Sequence, residues 1–476
     1  MRIDMRDQLP TEAVSRQITN DTQFMFQFYK PCFQFYAPSP SIDSHMSPRR
    51  LQQSLTTALH SCPLLLGRFT VHADQTISHS YDPRNPNLPT FEFQSTDLTF
   101  SELKSQGFAY SLCQRHSMDL AIPDGAIRRL SDEQPMLMVK VTYLHGGGAA
   151  VFAMTNHVAF DGNAMFSFLA YWAQCNNGHG VELPVDLQPV SNAILTNVDQ
   201  TSDISKDAAQ SPAEISVDAT RLPAEIGTMI TRAVSRDTMI PCVYSITTQD
   251  LRKLKQQVEA SGELQDGEWV SSNNVLTALI SQCVARANMR AHVYEHGPWT
   301  VFQALDMRRP LGLPLRGLGS PIILAECNAS ADHVLRPDRL PALARRVRMS
   351  VDAYTPEYLR NAMQWMHTTY AGLARDGVDE PWRHFWFSAL NTNRRCVGVS
   401  CMNRIPIYDA DFGAGRPVMA RSFNPRPNYV IVFPGPPGET DVYDSLHMYV
   451  TLERPAMDAL RADPEWTSVC TLVSEF

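Results

Sequence analysis

The segment His157-Val158-Ala159-Phe160-Asp161-Gly162 sets an imidazole, a carboxylate and a glycine at the end of an apolar run that begins near Pro135. Histidine titrates near neutrality, so it can accept a proton from an attacking hydroxyl or amine at physiological pH. His157 falls where a buried strand gives way to a helix, a position that projects side chains into clefts. Transfer of an acyl group to a hydroxyl needs such a base, donors for the oxyanion and a site that excludes water. A second segment, Asp411-Phe412-Gly413-Ala414-Gly415-Arg416-Pro417, lies about 250 residues downstream. A lone histidine in this setting is more often a core residue; the neighbouring Asp161-Gly162 and the downstream segment make His157 a candidate catalytic base.

Asp161 follows through a turn, and a four-residue step of that kind does not aim the two side chains at one another. A structural role is therefore expected for Asp161, and Gly162 is read as the residue that permits the tight turn. His145, beside Gly146-Gly147-Gly148, and His116, in Gln114-Arg115-His116-Ser117, both read as surface histidines. The sequence has no His-Glu-x-x-His and no Cys/His cluster, so no metal is expected. Without a Gly-x-Ser-x-Gly elbow, direct transfer in a ternary complex is favoured over a covalent serine.

The elements that must position these residues are legible in outline. Ser47 and Pro48 read as the start of a helix, with Leu51, Leu55, Ala58 and Leu59 at helical spacing and Cys62-Pro63 as its stop. Leu64 to Val71 is expected to continue as a strand. Met138 to Leu144 and Ala149 to Thr155 form a hairpin across the triple glycine, and Asn163 to Ala173 a helix burying Met165, Phe166, Phe168, Leu169 and Trp172. The Ser-, Asp- and Pro-rich stretch Ser191 to Glu225 reads as an exposed linker. A strand near Val243 to Ile246 follows, then helices over Thr248 to Ala260 and Ser272 to Ala287.

With 476 residues, 44% hydrophobic and 19% charged, the chain reads as a soluble α/β (α+β) protein of two domains. The expected division is 1–190, a linker over 191–235, and 236–476. A net charge of -8 without a basic run gives no support for nucleic-acid binding, and no nucleic-acid partner is expected. No apolar segment is long enough to span a membrane, and Met1 to Asp7 does not open a secretory signal. Ten scattered cysteines, mostly in apolar stretches, read as reduced thiols and a cytoplasmic location.

Taken together, these segments resemble the BAHD acyltransferases, closest to the hydroxycinnamoyl and alcohol acyltransferases. Ser54 to Arg68, Val139 to Thr142, Ser271 to Leu279, and Arg404 to Pro417 are each similar to family segments, and Leu305-Asp306-Met307-Arg308 looks like the family's Asp-x-Arg. The resemblance implies two similar chloramphenicol-acetyltransferase-like domains with a channel between them and the strand near Val397 to Cys401 crossing to the first domain's sheet. It implies His157 as general base, Ser400 as oxyanion donor, and Asp161 paired with Arg308. Asp411, Gly413 and Gly415 become structural supports, while Ser271, Ser272, Asn273 and Arg416 become contacts for acyl-CoA, a co-substrate rather than a bound cofactor. It also implies a monomer acting on a small-molecule alcohol.

This chain departs from the family at Ala414, where the signature has Trp, at Ser400-Cys401-Met402 in place of Thr-Ser-Trp, and at Gly319-Ser320 in place of Gly-Asn. Met402 cannot donate a hydrogen bond. Three alternatives stay open: N-acylation of an amine, a condensation-type enzyme using carrier-bound thioesters, and a degenerate binder. Condensation enzymes usually carry His-His, whereas Asn156 precedes His157 here.

Overall fold

The first half of the chain runs β1 (Val14–Gln17), β2 (Tyr29–Tyr36), α1 (Pro48–Ser61), β3 (Arg68–Val71), β4 (Ile77–Tyr81), β5 (Thr90–Thr99), β6 (Leu137–His145), β7 (Ala149–Asn156) and α2 (Gly162–Asn176). The second half opens with β8 (Ile215–Val217), β9 (Met239–Thr247), α3 (Thr248–Glu259), α4 (Ser272–Arg290), β10 (Trp299–Asp306) and β11 (Ile322–Ala329). It continues through α5 (Leu340–Asp352), α6 (Pro356–Arg375), β12 (Phe385–Phe387), β13 (Cys396–Cys401), β14 (Met419–Ser422), β15 (Tyr429–Pro434), β16 (Ser445–Glu453) and β17 (Thr471–Glu475). This computed structural model describes residues 9–17, 29–121, 134–179, 182–187, 215–217, 239–293, 297–378, 381, 385–387, 395–422, 428–438 and 443–475. Most of the expected linker lies outside the described residues; of it, β8 pairs with β12.

Two sheets carry the fold, one in the order β14-β2-β7-β6-β5 and one in the order β11-β10-β13-β15-β16-β9-β17. The hairpin β6–β7 forms across the triple glycine as its sequence predicts, with all three glycines at positive φ. Strand β7 is buried on both faces: Ala149, Val151 and Ala153 join one core cluster, Ala150, Phe152 and Met154 another. That double burial explains an unbroken apolar run where a half-exposed strand would alternate. It also delivers His157 directly beyond the strand's end.

Two expectations about strands are corrected. Pro63–Leu66 is a 3-10 turn, and only Arg68–Val71 is a strand. Leu64, Leu65 and Leu66 are all buried, which the two-sided alternation of an exposed-edge strand would not achieve. The strand near Val397 to Cys401 does not cross over. β13 lies within the seven-stranded sheet, parallel to β10 and β15, with Val397 and Val399 in the core shared with α4. It is β14 that crosses, pairing Met419–Ser422 with Cys32–Phe35 of β2. Among the described residues no helix is long and apolar enough to cross a membrane.

Candidate active site

Asn156 folds the turn after β7. Its backbone carbonyl accepts from the amides of Ala159 and Phe160, and its side-chain oxygen accepts from the amide of Val158 (3.1 Å). His157 is buried in that turn, 6% exposed. Four residues on, Asp161 N-caps α2, accepting from the Ala164 amide at 2.8 Å. Its two oxygens also accept from Arg308, Nη1 to Oδ2 at 2.6 Å and Nη2 to Oδ1 at 3.1 Å. Arg308 is fully buried and donates further to the Gly317 carbonyl (2.8 Å) and to Asp306 (3.2 Å).

Burial alone would lower the Arg308 pKa, but attraction to Asp161 and Asp306 outweighs it and the net shift is upward. Asp306, the second acid on this guanidinium, is exposed to solvent. Asp161 is thus committed to a helix cap and an ion pair between the two halves of the chain. Ser320 Oγ lies 3.5 Å from His157 Nδ1, at the outer edge of hydrogen-bond reach. The Asp161 amide, in turn, donates to the Gly319 carbonyl at 2.8 Å. The segment 317–320 therefore touches the turn at both His157 and Asp161.

Gly162 serves a different purpose from the one its sequence context predicts. It is the first residue of α2, without positive φ, and a Cβ there would stand 2.3 Å from Met402 Cε. Close approach to that methyl, rather than turn geometry, is what glycine relieves here. Met402 is buried and its sulfur lies 2.9 Å from Lys30 Nζ, so an ammonium borders the place where the family carries tryptophan. Ser400, two residues earlier, is buried in β13, opposite Ile431 of β15.

The downstream motif sits elsewhere. Asp411 Oδ1 accepts from the amides of Gly413 (2.8 Å) and Gly415 (3.1 Å), closing a tight loop in which both glycines have positive φ. A side chain on Gly413 would also strike His45. The loop docks on the C-terminal end of α2: Asn176 donates to the Phe412 carbonyl, Asn177 to that of Asp411, and the Phe412 ring meets Trp172 edge-on at 4.7 Å. Fifteen residues of helix make α2 about 22 Å long, so its two ends hold the two motifs apart. Arg416 is exposed beyond this loop.

Ser271 caps α4 in a reciprocal box with Asn274, which occupies its hydroxyl within the chain. Ser272 and Asn273 are half-buried at the same end, and Asn273 exchanges hydrogen bonds with Asn403, just past β13. Cys283, Asp463 and Glu465 converge closely enough for a metal, yet Arg286 stands among them, 2.9 Å from Asp463 and 3.2 Å from Cys283. His145 is exposed, and His116 is half-buried against Thr96 and the exposed Asp97.

Ser320 and Lys30 escape a reading of the sequence as site residues. Ser320 stood out there only as a departure from Gly-Asn, which was a usable signal. Lys30 lies in a strand whose alternation offers no mark of function.

Residues 10–467 match the Transferase family, and the chain belongs to that family, the BAHD acyltransferases. It is an acyltransferase of mixed α/β fold with two chloramphenicol-acetyltransferase-like domains. It is 24% identical to the O-acyltransferase pigD of Monascus ruber over 73% of this chain and 72% of that protein. It is 25% identical to a hydroxycinnamoyl-CoA:5-hydroxyanthranilate N-hydroxycinnamoyltransferase of Avena sativa over 60% and 58%. The structure of F. graminearum TRI101 complexed with coenzyme A and T-2 mycotoxin shares the fold, with TM-score 0.74, 14% identity, and coverage of 97% of this chain and 100% of that one.

Proposed function

We propose that this protein transfers an acyl group from acyl-CoA to the hydroxyl of a small molecule, with His157 as general base. The observation that carries the reading is the burial of His157 beside Ser320, while Asp161 is engaged by Arg308 and the Ala164 amide. The imidazole takes the acceptor proton as the oxygen attacks the thioester carbonyl. The tetrahedral oxyanion collapses, the C–S bond breaks, and the proton passes from imidazolium to the departing thiolate, leaving an ester and free coenzyme A.

Ser400 is the proposed oxyanion donor. Coenzyme A is the ligand named for the TRI101 complex, and Ser272, Asn273, Arg416 and the helix end capped by Ser271 are its proposed contacts here. The proposed domains are 1–190 and 236–476 with a channel between them, in a monomer. Seven of the ten cysteines are buried, which supports the reading of core thiols in a reducing cytoplasmic setting.

The test is thiol release from acetyl-, malonyl- and coumaroyl-CoA with a panel of alcohols and amines, in wild type and His157→Ala. Loss of a proton-transfer base lowers kcat by about 10²–10⁴-fold. Equal turnover in a folded His157→Ala variant removes the base assignment. A panel response confined to amines selects N-acylation, the chemistry named for the Avena sativa relative.

A further inference from the structure

The N-terminal strand reaches the catalytic turn. β1 pairs with β4 so that Arg16 stands opposite His79, and both side chains meet the ring of Phe160. The Arg16 guanidinium lies 5.7 Å from the Phe160 ring centre. Nη2 donates to the Ala159 carbonyl at 3.1 Å, and Nη1 points to the Leu318 carbonyl at 3.4 Å. Ala159 and Leu318 are both buried. Ala159 stands two residues after His157; Leu318 sits between Gly317 and Gly319, whose carbonyls accept from Arg308, and two residues before Ser320.

Two guanidinium forks thus hold the same two segments from different sides. Arg308 joins Asp161 to the carbonyls of 317 and 319; Arg16 joins Ala159 to the carbonyl of 318. A planar fork can bridge two carbonyls that a point charge cannot hold together. Burial lowers the Arg16 pKa to about 10, so the group remains a cation at neutral pH.

We infer that Arg16 is a positioning residue: through the carbonyls of Ala159 and Leu318 it fixes the His157 turn against the segment that carries Ser320. The inference rests on His157 being the base. It assigns β1, which supplies none of the family's motifs, a part in setting the geometry of proton transfer. A displacement of about 1 Å at a reacting group can cost on the order of 10²-fold in rate.

The experiment measures kcat and KM for acyl-CoA in Arg16→Met, Arg16→Lys, His157→Ala and Arg16→Met/His157→Ala, with melting temperatures alongside. Arg16→Met should lower kcat by about 10–100-fold with KM within about twofold. Arg16→Lys, which keeps charge but loses the fork, should fall between. In the His157→Ala background, Arg16→Met should change the residual rate little, because both act on one step. Wild-type kcat in folded Arg16→Met, or an equal loss persisting without His157, overturns the assignment. Should Arg16→Met not fold, Arg16→Lys decides: reduced kcat at unchanged melting temperature supports it, and wild-type kcat overturns it. If His157→Ala itself is fully active, the base reading fails, and that result is visible without any Arg16 variant.

Discussion

Asp161 and Arg308 form a two-point ion pair, 2.6 and 3.1 Å, that ties the start of α2 to the segment after β10. Both side chains are almost wholly buried, so removing one leaves a charge without its partner. Asp161→Ala should destabilise the protein by about 3–5 kcal/mol, with the lost helix cap included in the measured value. Urea unfolding of the two proteins measures this. A variant of wild-type stability that has lost all turnover would instead give Asp161 a chemical role.

Ser320 Oγ lies 3.5 Å from His157 Nδ1. If it holds the imidazole in orientation, Ser320→Ala should lower kcat by about tenfold, the equivalent of one net hydrogen bond, with KM unchanged. Ser320→Asn, which restores a longer donor and acceptor, should recover part of the loss. Steady-state kinetics at saturating acyl-CoA is the measurement, and an unaltered kcat in Ser320→Ala sinks the role.

Gly162 and Met402 are predicted to be coupled. Alanine is a better helix former than glycine by about 1 kcal/mol, so Gly162→Ala would be stabilising were space the only neutral term. Its Cβ, however, would stand 2.3 Å from Met402 Cε, and the Met402 sulfur is held beside Lys30. Overpacking should win, at a cost of about 1–3 kcal/mol. In a Met402→Ala background the penalty should vanish or reverse. A double-mutant cycle by urea unfolding decides, and additive effects would show that the methyl simply swings away.

How much of this was legible depends on whether a feature is local. The β6–β7 hairpin, α1, α2 and α4 follow from periodicity, the triple glycine and the Ser47 and Ser271 starts, which act within a few residues of themselves. That β14 rather than β13 crosses is not legible locally, because its placement depends on the Asp411 loop docking on Asn176 and Asn177, a tertiary event with no local pattern. Once that loop is fixed on α2, the chain is already beside β2, and β14 is the next segment able to pair with it. The crowding at Gly162 is not legible locally, since the atom that meets it belongs to a residue 240 positions away. Arg16 carries no signature because its partners are backbone carbonyls, which any sequence supplies.

Acid should unfold this protein from a higher pH than its carboxylates require. Burial, reinforced by Arg421, pushes His447 down to about 3, and burial with Arg16 holds His79 well below the usual imidazole range. His447 is faced by Arg421, its Nη1 3.0 Å from the ring nitrogen, and Arg421 also reaches Tyr449; neither group supplies a negative charge at neutral pH. In the unfolded chain both imidazoles bind a proton below about 6.5, whereas in the folded protein they stay neutral. Between about pH 6.5 and 3 the unfolded state therefore holds more protons, and stability rises with pH. The contribution is fully present above about pH 6.5 and is lost as pH falls, at up to about 1.4 kcal/mol per pH unit for each histidine. Urea unfolding at a series of pH values from neutral down to 5 should show this slope, and His447→Gln should flatten it by roughly half. A stability that stays level down to the carboxylate range, or a slope untouched by His447→Gln, would mean that the buried imidazole is not what couples folding to protons here.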